Sequence, residues 1–143
     1  MVKQLDQSHL SAILRLLKEN GLPVKDIDLK KQSFWGLVKQ EQLIGIGALE
    51  IKGDSALLRS LAIDKNSQNM GLGNQLLTTM LELSKSKGIK NLFLLTETAE
   101  PFFKKNNFKN INRNQVPEEI AMTEEFKSIC PSSAICMTLK IES

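Results

Sequence analysis

Ala56-Leu57-Leu58-Arg59-Ser60-Leu61-Ala62-Ile63-Asp64, then a polar connector and Gln68-Asn69-Met70-Gly71-Leu72-Gly73-Asn74, is the stretch on which the chain turns. Its first part crowds apolar residues together, as in a strand buried on both faces. Beyond the glycines, Leu72, Leu76, Leu77, Met80, Leu81 and Leu83 recur at helical spacing and mark an apolar stripe running toward Lys87. The order is strand, glycine loop, helix. A helix start exposes N–H groups without intrahelical partners and carries partial positive charge, and glycines there let an anion reach the main chain. The same two glycines could equally form a plain turn. Two nucleotide motifs are absent: Leu76 stands where a dinucleotide fingerprint needs its third glycine, and no Lys-Ser or Lys-Thr follows Gly73.

Working outward, Ile89 to Leu95 reads as a second buried strand, so that strand, helix and strand suggest a right-handed parallel crossover. Upstream, Phe34 to Lys39 and Gln42 to Ile51 form a predicted hairpin around Gln40-Glu41, with Gly45 and Gly47 marking close packing or a bulge. Val2 to Leu5 predicts a short strand. Asp6 or Ser8 caps a helix with Leu10, Ile13, Leu14 and Leu17 on one face, ended by Gly21 and Pro23. His9 falls in its first turn as an exposed polar residue or, less simply, a base. Val24 to Gln32 reads as a loop or irregular helix. Downstream come a short helix over Ala99 to Asn106, a strand over Phe108 to Asn112, and a closing strand over Ala134 to Ile141. Between the last two, Arg113 to Pro131 is a long connection with helical signatures at Pro117 to Ile120 and Thr123 to Phe126; connections this long are often functional. The expected fold is α/β, a mixed sheet flanked by helices, in one domain over residues 1–143.

Composition bounds the reading. The chain has 143 residues, 41% hydrophobic and 24% charged, ordinary for a globular protein able to bury a core without metal or disulfide support. The net charge of +3 comes from scattered Lys and Arg, so no nucleic-acid face is indicated. The N-terminus has no signal-like apolar region and no run reaches membrane-spanning length, so a cytoplasmic protein without a membrane partner is expected. Two cysteines do not make a disulfide framework, and with one histidine no metal site is expected.

Gln68-x-x-Gly71-x-Gly73 after Leu61-Ala62-Ile63, followed by Ala99-x-x-Phe102-Phe103-x-x-x-Asn107-Phe108, resembles the acetyl-CoA motif and the following helix–strand motif of the GCN5-related N-acetyltransferase superfamily. The resemblance implies the GNAT fold, acetyl-CoA as acyl donor and transfer of its acetyl group to an amine. It implies that the main chain of Leu61, Ala62 and Ile63 holds the pantetheine arm. Gln68, Asn69, Met70, Gly71, Leu72, Gly73 and Asn74 would hold the pyrophosphate, and Phe103 would lie beside the thioester. The departures matter. Phe103 stands where the family commonly has its tyrosine acid, the chain has no tyrosine, and Asn107 replaces a glycine. Leu57 occupies the position of a glutamate base found in some members. Glu50 and Glu97 then remain as candidate bases, each also readable as a solvated strand end or helix cap. Arg59, a charge inside an apolar strand, either pairs with a structural carboxylate or binds the carboxylate of an amino-acid-like acceptor. Arg113 is a second candidate for the acceptor.

Arg113-x-x-x-Val116-Pro117-x-x-Ile120, Thr123-x-Glu125-Phe126 and Cys130-Pro131-x-Ser133-Ala134-x-x-Met137 are similar to a subgroup associated with arsenic-resistance operons. Related enzymes outside that subgroup acetylate amino-acid-like compounds, so a small amine, amino-acid-like in one reading, is the expected acceptor, and Cys130 stands as a packed cysteine, a nucleophile or an arsenic-binding thiol. Two further readings stand beside a small-molecule acetyltransferase: a non-catalytic acyl-CoA-binding module, and acetylation of a protein N-terminus or lysine. Oligomeric state is not encoded in any motif; a homodimer is carried as an expectation.

Overall fold

The computed structural model describes residues 2–129 and 132–141; Cys130, with the three readings given it above, lies outside them. The elements in chain order are β1 (Val2–Gln4), α1 (Leu10–Glu19), β2 (Ser33–Lys39), β3 (Gln42–Lys52), β4 (Ser55–Ile63), α2 (Leu72–Ser86), β5 (Asn91–Thr96), α3 (Glu100–Lys105), β6 (Lys109–Asn110), α4 (Glu118–Ala121) and β7 (Ile135–Lys140). The strands form a single seven-stranded mixed sheet in the order β1-β2-β3-β4-β5-β7-β6. All pairings are antiparallel except β4 with β5.

Local chemistry accounts for the boundaries. Asp6 accepts a hydrogen bond from the Ser8 amide, while His9 Nδ1 accepts one from the Asp6 amide. This capping box makes His9 part of the turn that starts α1. Ile13, Leu16 and Leu17 on α1 are fully buried against Leu5, Phe34, Ile46 and Ala62. On the other side of the sheet α2 buries Leu77 and Met80 over Leu49, Leu58, Leu92 and Leu94, and Leu76 is buried beside Gly45. Each such apolar side chain removed from water contributes about 1.5–3 kcal/mol. The fourth inward position of α2 is Ser84 rather than a leucine, and its hydroxyl is satisfied by donating to the Met80 carbonyl at 2.8 Å.

Two predicted strands are shorter than their apolar runs. Ile89 is buried, but its amide bonds the Ser84 carbonyl at 3.0 Å across Gly88 at φ 78°, so it finishes α2 and β5 starts at Asn91. The strand expected over Phe108 to Asn112 reduces to Lys109–Asn110, because β6 is an exposed edge and the chain turns off at Asn112. The closing strand β7 inserts between β5 and β6. The long connection folds as a 3₁₀ turn at Arg113–Gln115, then α4, then a π-helical turn at Glu125–Ile129. Val116, Ile120, Phe126 and Ile111 close over Leu57 and Phe93 as a small core of their own.

Candidate active site

The site begins where the sheet comes apart. β4 and β5 pair only at Ser55↔Asn91, Ala56↔Leu92 and Leu57↔Phe93. Beyond Leu57 the ladder stops, so the β5-facing main chain from Leu58 to Ile63 has no strand partner. A bulge sits at the same level: the β3–β4 register slips between Ile46 and Ala48, and Ser60 takes φ 59° inside the strand. A left-handed non-glycine residue there is a strained conformation of the kind that collects at functional sites. Gly47 fills the crowded partner position, where an added Cβ would lie 3.2 Å from Leu61.

From this gap a cavity of about 790 Å³ runs along the main chain of Leu61, Ala62 and Ile63. One end is the start of α2. Gly71 caps the helix at φ 76°, Asn69 is also left-handed at φ 66°, and the space outside Gly71 is open. Gly73 has no such backbone demand, and an added Cβ would make only ordinary contact with Phe102 at 3.5 Å. The protein itself therefore leaves the approach to Gly73 free. The Gln68 side chain is exposed and braces the loop, donating to the Ile63 carbonyl at 3.1 Å and to Asn20 Oδ1 at 3.2 Å. Asn69 and Met70 are exposed, and Asn74 accepts a hydrogen bond from Asn106, the residue that caps the end of α3, at 3.1 Å. Phe103 is buried on the cavity wall, edge-on to Phe102 and Phe108 with ring centres 5.1 and 5.4 Å away. Asn107 adopts φ 74°, the left-handed turn its glycine-like position requires.

At the opposite end the structure builds a buried charge cluster. Arg59 has no exposed side-chain surface; Nη1 and Nη2 donate to the two Asp26 oxygens at 2.5 and 2.8 Å. Glu50 Oε1 lies 3.6 Å from Nη1 and Glu125 Oε1 3.7 Å from Nε. Burial works against both members of the Arg59–Asp26 pair, but their mutual hydrogen bonds and charge prevail, so Asp26 stays below the usual carboxylate range and Arg59 above its own. Burial pushes Glu125 up to about 7, opposed by Arg59 and reinforced by Asp26 and Glu50.

The candidates separate accordingly. Arg59 and Glu97 line the cavity, Glu97 exposed at its mouth. Glu50 is buried behind Arg59, with Lys52 Nζ 3.9 Å away, and is not part of the cavity wall. Arg113 lies away from the cavity, its guanidinium 5.7 Å from the centre of the Phe126 ring. Phe102 and Glu125, motif positions with no site role assigned from sequence, both lie on the cavity wall. Glu125 carried a signal in retrospect: an acid followed by Phe126 in an unexplained long connection. Among the described residues no cluster of three or more His, Cys, Asp or Glu is arranged to hold a metal ion.

Fold and cavity together define an acyl-CoA N-acyltransferase fold, a sheet parted beside a helix start. A family model described as acetyltransferase (GNAT) domain matches residues 30–110, and the chain belongs to that family. An amino-acid acetyltransferase of Neisseria meningitidis is 25% identical over 119 residues, covering 79% of this chain and 27% of the relative. Among solved structures, N-acetylglutamate synthase of Neisseria gonorrhoeae, complexed with coenzyme A and L-arginine, superposes with a TM-score of 0.82 at 18% identity. The match covers all of this chain and 33% of the synthase. The ribosomal-protein-S18-alanine N-acetyltransferase of Escherichia coli gives 0.74 at 16% identity, covering 100% of this chain and 94% of that one. The chain thus spans about a quarter to a third of the length of its amino-acid-acetylating relatives, and most of the length of the protein-modifying one.

Proposed function

We propose that the chain transfers the acetyl group of acetyl-CoA to the amine of a small, amino-acid-like acceptor, directly within a ternary complex. The observation that carries this is the continuous cavity from the Gly71–Gly73 cradle, along the unpaired edge of β4, to the Arg59 cluster. A phosphate-bearing ligand fits the cradle: the helix start offers free N–H groups, Gly71 is left-handed, and nothing crowds either glycine. In this reading Gln68 to Asn74 hold the pyrophosphate, and the main chain of Leu61, Ala62 and Ile63 aligns the pantetheine and polarises the acetyl carbonyl. Phe103 shapes the wall beside the thioester without donating a proton.

The amino-acid-like acceptor is supported by the name of the amino-acid acetyltransferase relative. The motif residues Arg113, Val116, Ile120 and Phe126 gather around the turn that carries Glu125. Arg59, on the cavity wall, is the cation at the acceptor end in this reading, and Arg113 supports that end from outside the cavity through the Phe126 turn; a cytoplasmic setting is its natural context, and a homodimer is compatible with it. The S18-alanine acetyltransferase, matched over most of its length, favours a protein N-terminus as the second reading.

Calorimetric titration with acetyl-CoA, and with desulfo-coenzyme A as control, is the test of the donor half. Micromolar binding is expected, and no binding overturns the proposal. Amine-dependent thiol release on a panel headed by amino acids, with peptides bearing free N-termini as the other arm, decides the acceptor. Tight donor binding without turnover on either arm would make the chain a binding module.

A further inference from the structure

Among the described residues, Glu125 is the one carboxylate that is both deeply buried and on the cavity wall. The residue is 4% exposed, yet it lies on the wall of the cavity. Its carboxylate makes no hydrogen bond to any described residue, and its one ion pair is the 3.7 Å contact of Oε1 with Arg59 Nε. That cation is already engaged: Asp26 takes both terminal nitrogens, and Nε donates to Ser60 Oγ at 3.3 Å. An acid kept from water and from hydrogen bonds is costly to retain, and one that borders a cavity is a candidate for proton chemistry.

We infer that Glu125 is the general base that takes the proton from the acceptor's ammonium group. Arg59, pinned by Asp26, is a positioning residue that sets the proton affinity of Glu125 instead of gripping the acceptor. The inference rests on the acetyl-transfer reading above. In the step, the ammonium gives one proton to the Glu125 carboxylate, which passes it to water. The freed nitrogen lone pair forms the C–N bond at the thioester carbonyl. The adduct then breaks the C–S bond, and the second proton from nitrogen goes to the departing thiolate, leaving amide and free thiol. The two carboxylates considered from sequence are placed less well. Glu50 is behind Arg59, and Glu97 is exposed at the mouth, where water competes for its proton.

The charges facing Glu125 are Arg59 from β4, Asp26 from the 24–32 loop and Glu50 from β3 with Lys52 beyond it; Glu124 and Lys127 on its own turn are exposed. Burial places its titration at about 7, where a base is half ionised at neutral pH and matched to its task.

The test compares wild type, Glu125→Gln and Asp26→Asn by acetyl-CoA titration and by amine-dependent thiol release across pH. For E125Q, kcat at pH 7 is expected to fall at least about 100-fold. Its acetyl-CoA affinity should stay within about threefold, the limb rising through about 7 should vanish, and activity should recover where the amine loses its own proton. In D26N, Arg59 is released toward Glu125 and one neighbouring negative charge is gone, so the limb should move to lower pH; a purely structural role would leave it in place. E125Q activity within about fivefold of wild type with the limb retained would overturn the inference, as would an unmoved limb in D26N. Wild type that binds acetyl-CoA but turns over no amine also overturns it while sparing the donor half of the reading. Wild type that fails to bind acetyl-CoA instead brings down the acetyl-transfer reading itself.

Discussion

Arg59 is one guanidinium serving three acids. Its neighbours Asp26, Glu50 and Glu125 come from a loop, a strand and a π-helical turn, and all four side chains are at most 9% exposed. Removing the cation leaves buried Asp26 and Glu125 without the cation they pair with and leaves Glu50 with Lys52 alone, so Arg59→Met is expected to lose about 3–5 kcal/mol in urea unfolding. A combined Arg59→Met and Asp26→Asn variant should recover part of that loss, since one stranded charge goes with it. Gly71 tests the other end of the cavity. An aspartate there must adopt φ near 76° and brings a negative charge to an anion cradle. Gly71→Asp should therefore weaken acetyl-CoA binding at least about tenfold by calorimetry, with a loss of only about 1 kcal/mol in urea unfolding from the left-handed backbone. Arg59 was conspicuous in the sequence because a charge interrupts an apolar run. Its partners were not, because residues 33 apart, like Arg59 and Asp26, meet only through the fold.

At the level of elements, the parting of β4 from β5 and the anchoring of the long connection are one construction. The last paired rung, Leu57↔Phe93, is also the floor on which Ile120, Val116 and Phe126 pack. Burying those side chains holds α4 and the turn after it against the sheet, and so holds Glu125 at the cavity. Ile120 is fully buried, so Ile120→Ala should lose roughly 2–4 kcal/mol in urea unfolding through the cavity it leaves. Acetyl-CoA affinity should be retained while kcat drops, because the damage lies on the acceptor side. Strands and helices here followed hydrophobic period closely. The misjudged edges, Ile89 and the residues around β6, are places where a helix-end hydrogen bond or an exposed sheet edge overrode an apolar run. The bulge at Ser60 left no mark in the sequence, since serine is not the residue that advertises a positive φ.

At the scale of the molecule, two carboxylates of the buried cluster, Asp26 and Glu125, pull stability in opposite directions with pH. Asp26 is held below its ordinary 3.8, so its contribution is present above that value and is lost as acid protonates the folded state. Glu125 is raised from 4.5 to about 7, so the folded state keeps a proton that the unfolded chain has released. Stability therefore declines as pH rises from about 5 to 8, by up to on the order of 3 kcal/mol from this one group. Urea unfolding at pH 5 and pH 8 should show that decline in wild type and a clearly smaller one in Glu125→Gln.

The amino-acid sequence by itself determined the order of strands and helices, the glycine helix start after a core strand, the family motifs, and the misfit of Arg59. These rest on local period, turn chemistry and spacing, which are written in consecutive residues. Only the tertiary structure decided that β7 would insert between β5 and β6, that β4 and β5 would pair for three residues and then part, and that Asp26, Glu50, Arg59 and Glu125 would share one buried cluster. Those features come from long-range strand pairing and from the partnering of charges withdrawn from water. Both are set by which distant segments the closing core brings together, and no window of sequence contains them.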